Sequence, residues 1–156
     1  MGLMILRSVL PACLLVAAWL ILRRPARQFA EELRVDHARD LFRLRREWLE
    51  ARFVSALTLV DPVEGARWDE AHWHDEVLWA RDRQSRVFLA LVGVHFGEPF
   101  DGPVETLPRH STALFEFRKG RWTAEGKRLD EMRPDEAVLR GQRFEPVVPH
   151  RQRGVS

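Results

Sequence analysis

The hydrophobic pattern changes period twice along the chain. From Leu3 to Leu22 the run LMILRSVLPACLLVAAWLIL is almost unbroken. At about 1.5 Å per residue such a helix covers the roughly 30 Å hydrocarbon core of a bilayer, so residues 3–22 are expected to cross one. Arg7 must snorkel toward the headgroups and Pro11 should bend the helix, while Trp19 and then Arg23, Arg24 and Arg27 supply an interfacial ring and a basic collar. From Pro25 to about Leu57, apolar residues return every three or four positions, at Phe29, Leu33, Leu41, Leu44, Trp48, Leu49, Phe53 and Leu57. That spacing predicts one long helix with Trp48 in the core. Past Asp61-Pro62 and Gly65 the period drops to two, the signature of strands.

Residues 76–81 and 86–96 read as two strands around the polar turn 82–85, and VFLALVGV, apolar on both faces, as an inner strand. Residues 97–110 hold two Gly and three Pro and read as a loop. Residues 111–118 and 121–128 form a hairpin over Lys119-Gly120, whose two-residue turn sets Phe117 opposite Trp122 and Phe115 opposite Ala124 on one core face. A short helix begins at Arg133-Pro134-Asp135-Glu136, and residues 144–148 either add a strand or cover an edge.

The fold class expected is α+β: an N-terminal transmembrane helix, a long helix, then an antiparallel meander of about four strands with a short C-terminal helix. The domains are an anchor (1–24), a helical stalk (25–40), an α+β domain (41–148) and a disordered basic tail (149–156). About 130 residues beyond the span suffice for one core. The expected structural core is Trp48, Phe115, Phe117 and Trp122. Acid-base neighbours such as Arg43 with Glu47 and Arg46 with Glu50 should lace a solvated helix face. A coiled coil through the stalk is disfavoured, because Arg34 and His37 stand where core residues belong.

The segments ALVGV (90–94), Thr112 to Phe117, and Gly120-Arg121-Trp122 followed by Gly126 resemble uncharacterised bacterial proteins that pair a single span with one small domain. These are strand and turn motifs, so the resemblance supports the hairpin and implies no activity. A long helix before an antiparallel sheet also looks like the cystatin-like and NTF2-like architectures, an analogy of fold that carries no function.

Charge refines the picture only modestly. The net charge is +2, but residues 61–110 hold five arginines against ten acids. No basic stripe with interleaved aromatics appears, so no nucleic acid is expected as partner. One arginine, Arg7, lies on the amino side of the span and three follow within five residues of its carboxyl end, which orients the domain toward the cytoplasm. A cleaved signal peptide is the competing reading, against which no small-residue cleavage site follows the apolar run. Cys13 is the sole cysteine, which leaves the domain without a disulfide framework or a thiol nucleophile.

No catalytic residues are assigned: there is no G-x-S-x-G, phosphate loop or H-E-x-x-H. His110 and Ser111 are adjacent, but adjacency in sequence does not create a base-nucleophile geometry, and Asp130-Glu131 and Asp135-Glu136, on presumed surface segments, read as solvation or helix-capping residues. The sharpest chemical feature is Asp69-Glu70-Ala71-His72-Trp73-His74-Asp75-Glu76. Two histidines two apart share a face of an extended chain. A turn with an even residue count pairs positions summing to 169 and brings His74 opposite His95. His72, His74 and His95 would then be candidate ligands for zinc, although histidines so placed serve more often as surface residues. The function expected is a membrane-anchored, non-catalytic interaction module with a protein partner. The alternative is a small-ligand or metal-binding domain, possibly enzymatic. A filled core favours the first and a cavity with convergent polar groups the second.

Overall fold

The computed structural model describes residues 2–97, 109–140 and 142–147, with side chains described from residue 31 onward. The protein is α+β. In chain order it comprises α1 (Gly2–Val60), α2 (Pro62–Asp69), β1 (His72–Asp82), β2 (Phe88–His95), β3 (His110–Arg118), β4 (Arg121–Thr123), β5 (Arg128–Asp130), α3 (Pro134–Leu139) and β6 (Phe144–Pro146). The chain divides into two compact units, Met1–Arg39 and Asp40–Ser156. The expected span at 3–22 and the tail at 149–156 lie outside the residues described with side chains. Among the described residues, no helix is long and apolar enough to cross a membrane. In the first unit, Arg39 pairs with Asp36 one turn earlier at 3.5 Å.

The second unit is a six-stranded antiparallel sheet of order β4-β3-β2-β1-β6, with β5 also paired to β3. Two expectations need correction. The expected fourth strand, 121–128, is two short ones. β4 pairs with residues 116–118 of β3 and β5 with residues 111–113, and between them Gly126 takes a positive φ of 71° that breaks the strand. The segment after Asp61 also folds as a helix before the first strand. Pro62 stands in its first turn and the Asp61 carboxylate accepts from the Val63 and Glu64 amides at 3.0 and 3.2 Å, so a cap and proline outweigh the strand period there.

β6 is no simple continuation of the meander. It returns to the far edge and sets Asp82, Arg81 and Ala80 against Phe144, Glu145 and Pro146. Asp82 locks this corner: Oδ1 accepts from the Gln84 and Ser85 amides at 2.9 Å each, and Oδ2 accepts from Arg143 Nε at 2.9 Å. The Ser85 amide and, against the opposing cost of burial, Arg143 and Gln84 hold the Asp82 pKa down to about 2.

Residues 40–60 of α1 pack on one sheet face through Phe42, Leu49, Phe53 and Leu57, all buried. Phe42 sets its ring edge toward Trp79, Phe115 and Trp122 at centroid distances of 5.6, 5.3 and 5.0 Å. Phe53 meets Trp68, Trp73 and Phe115 at 4.9, 5.7 and 5.6 Å. Phe117 does lie opposite Trp122 and Glu116 opposite Thr123, as the two-residue turn requires. Phe115 and Trp122 are buried, and Phe117 is half-buried.

Trp48 corrects the sequence reading. It is 55% exposed and Leu44 is 82% exposed. Both satisfied the three- and four-residue spacing, but the stripe that meets the sheet runs one phase over, through Phe42, Leu49 and Phe53. At about 100° per residue a helix can carry two such stripes, and only packing selects one.

The other sheet face is covered in part by α3. Ala80, Leu89, Leu91, Leu114, Ala137 and Phe144 form a smaller core there, flanked by Leu78, Leu129 and Met132.

Candidate functional site

The site is built by an irregularity in β1. From Val77 to Arg81, β1 pairs with β2 in the register that sums to 169, but between Trp73 and Val77 the ladder shifts, and His72 rather than His74 stands opposite His95. Three β1 residues face one on β2, a bulge that interrupts the ladder. Arg46 of α1 holds it: its Nη1 donates to the Asp75 carbonyl at 2.7 Å and its Nη2 donates to the His74 carbonyl. Glu50 accepts from Arg46 Nε at 2.7 Å and fixes the guanidinium. The pair expected on a solvated helix face is thus a half-buried clamp.

On β2 and β3, His95 stands opposite His110. His72, His95 and His110 therefore occupy one rung across three neighbouring strands and share the face away from α1. His74, displaced by the bulge, comes back to the same face: a Cβ on Gly93 would lie 3.3 Å from its ring and 3.4 Å from Pro134. These elements enclose an open groove of ≈ 890 Å³. Its lining includes the apolar Leu78, Gly93 and Pro134; its donors are His74, His95, His110, Arg109 and Arg133, and its acceptors are Glu76 and Asp135.

The structure thus gathers His74 and His95 at one groove, with His72 beside them at 6.0 Å between its ring centroid and that of His74. Among the described residues, no group of three or more His, Cys, Asp or Glu is placed to hold a metal ion. The bulge removes the direct His74–His95 opposition on which the zinc site depended. His110 escaped the sequence reading because it follows a loop-like, Pro-rich stretch. Its only signal was the His95–His110 rung, which the span between the strands conceals.

Of the remaining candidates, Ser111, Asp130 and Glu136 have structural partners. Ser111 lies on the opposite face of β3 from His110 and donates to Asp130 at 3.2 Å, so the two adjacent residues form no base-nucleophile pair. Asp130 also accepts from Arg128 Nε at 3.1 Å, and Arg128 approaches Glu64 at 3.7 Å. The ≈ 160 Å³ hollow lined by these residues and Arg67 is an ion-pair lattice tying α2 to β5. Glu136 accepts from the Arg133 amide at 3.1 Å and caps α3. Glu116 is buried, which by itself raises its pKa. Lys127 at 2.8 Å and Arg118 at 2.6 Å outweigh that cost and hold it below the usual carboxylate range. It is a paired structural charge.

No protein-family model, curated protein or solved structure matches the chain.

Proposed function

We propose that this chain is a membrane-anchored, non-catalytic interaction module whose groove receives an acidic segment of a partner protein. The observation that carries the reading is the grouping of five donor side chains, His74, His95, His110, Arg109 and Arg133, with two carboxylates and apolar residues along one groove. Guanidinium groups bind carboxylates bidentately and imidazoles donate or accept, so a carboxylate-bearing segment satisfies such a wall. On the other sheet face, Phe42, Phe53 and their aromatic neighbours fill the space between α1 and the sheet.

Anchorage rests on the apolar residues 3–22 at the start of a helix that runs to Val60, and the arginine collar favours a domain in the cytoplasm. Pull-down from a detergent extract tests the module. Proteins retained by the natural chain should be lost by the Arg109→Glu, Arg133→Glu double variant, and equal recovery would refute the groove as the docking surface. Protease added outside intact cells should leave the domain uncut.

The same groove supports a second reading, a small anionic ligand, because its volume falls within the roughly 300–1,000 Å³ of small-molecule sites. A thermal shift with small dicarboxylates, abolished by the same double variant and without any captured protein, would favour it.

A further inference from the structure

We propose that residues 40–59 of α1 pair in parallel with the same helix of a second copy of this chain, along a seam of Leu41, Leu44, Trp48, Ala51 and Ser55. The proposal does not depend on what the groove binds.

The seam lies on the side of α1 away from the sheet. At about 100° per residue, Leu41, Leu44, Trp48, Ala51 and Ser55 point roughly half a turn from Phe42, Leu49 and Phe53. Leu44 and Trp48, 82% and 55% exposed, are the large apolar groups at its centre. Their spacing, alternately three and four, is that of first and fourth heptad positions, the knobs of a left-handed pair. Ser55 at the edge of the seam donates its hydroxyl to the Ala51 carbonyl at 2.8 Å, so a dry contact leaves no orphaned donor. The seam ends there because Thr58, next in the pattern, lies against Gly65 at the start of α2.

Charge selects both the partner and its direction. Asp40 and Glu47 flank one side of the seam, Arg45 and Arg52 the other, and all four are exposed. In a parallel pair the flanking contacts join each residue to the one five positions on in the other copy. That rule matches Asp40 with Arg45 and Glu47 with Arg52, each twice by symmetry, and Val54 with Leu59. An antiparallel pair would instead set acid beside acid and arginine beside arginine. The helix is already folded on its sheet, with Arg52 over the Trp48 ring at 5.6 Å, so pairing bears no helix-nucleation cost.

The test is oxidative cross-linking of the full chain in membranes, with Cys13→Ser as background and single cysteines introduced as Leu44→Cys, Ala51→Cys or Arg43→Cys. Parallel pairing joins copies at 44 and at 51 and leaves 43, on the flank, several-fold less linked. With Ala51→Cys as reporter, Glu47→Arg or Arg52→Glu alone should lower the cross-linked fraction about five- to thirtyfold, because each turns two attractive contacts repulsive. Co-expressing the two charge variants should restore it, since every contact between unlike copies is then attractive. Equal linking at 43, indifference to the charge variants, or failure of co-expression to restore would each overturn the proposal. So would absence of any link at 44 and 51, which would leave the stripe to lipid or to another protein. Unchanged circular dichroism verifies the fold of each variant.

Discussion

Replacing Arg46 by Met keeps the apolar stem and removes the guanidinium that joins α1 to the β1 bulge. Two hydrogen bonds from a charged donor to the His74 and Asp75 carbonyls are lost, together with the 2.7 Å pair to Glu50. Hydrogen bonds to charged groups contribute about 1.5–3 kcal/mol each when buried, but these carbonyls lie near the surface where water can replace the donor, so the lower end applies. Arg46 and Glu50 are 21% and 19% exposed, and the pair adds about 0.5–1 kcal/mol. The expected cost is about 3.5–4 kcal/mol in all, read from the shift of the urea midpoint at constant slope, with tryptophan fluorescence as probe. Glu50→Gln alone should cost about 0.5–1 kcal/mol, and the double variant less than the sum, because both residues act through one guanidinium. Amide exchange at residues 74–76 should quicken in Arg46→Met while β2 stays protected. A cost below about 0.5 kcal/mol with unchanged exchange would refute the clamp and make the bulge self-supporting.

Trp122→Ala should cost about 3–5 kcal/mol in the same assay, since it empties space shared with Phe42, Trp79, Phe88 and Phe117; a cost under about 1 kcal/mol would discredit the core assignment. Gly65→Ala should destabilise by about 1–3 kcal/mol, because its new Cβ would lie 2.1 Å from Thr58 Oγ1 and 2.6 Å from Thr58 Cα, and a neutral effect would show that α2 can move off α1 at little cost. Asp82 should contribute to acid unfolding. Its pKa is lowered from 3.8 to about 2, so the stabilisation, at most about 2 kcal/mol, is present above pH 3.8 and lost as pH falls toward 2. Asp82→Asn should flatten the pH dependence of the urea midpoint in that window, and an unaltered slope would show another carboxylate to be responsible.

Local chemistry alone determined a good part of this protein. The Lys119-Gly120 turn sets the β3–β4 register because two residues allow only one pairing of Phe117 and Trp122. The apolar run of β2 marked an inner strand, since a strand buried on both faces has no polar side to alternate. The even turn after Asp82 held β1 and β2 in register as far as Val77. Tertiary structure decided what depends on distant partners. Two apolar stripes share α1, and the sheet chose Phe42 over Trp48 because the aromatic cluster of Trp79, Phe115 and Trp122 accepts that face. Arg46 looked like a surface partner of Glu50 because its other partners are carbonyls 28 and 29 residues away, which carry no side-chain signature. The bulge they hold shifts the ladder by two and moves His74 off the histidine rung, a rearrangement of backbone invisible to spacing along the chain, while the β2–β3 pairing sets His110 beside His95.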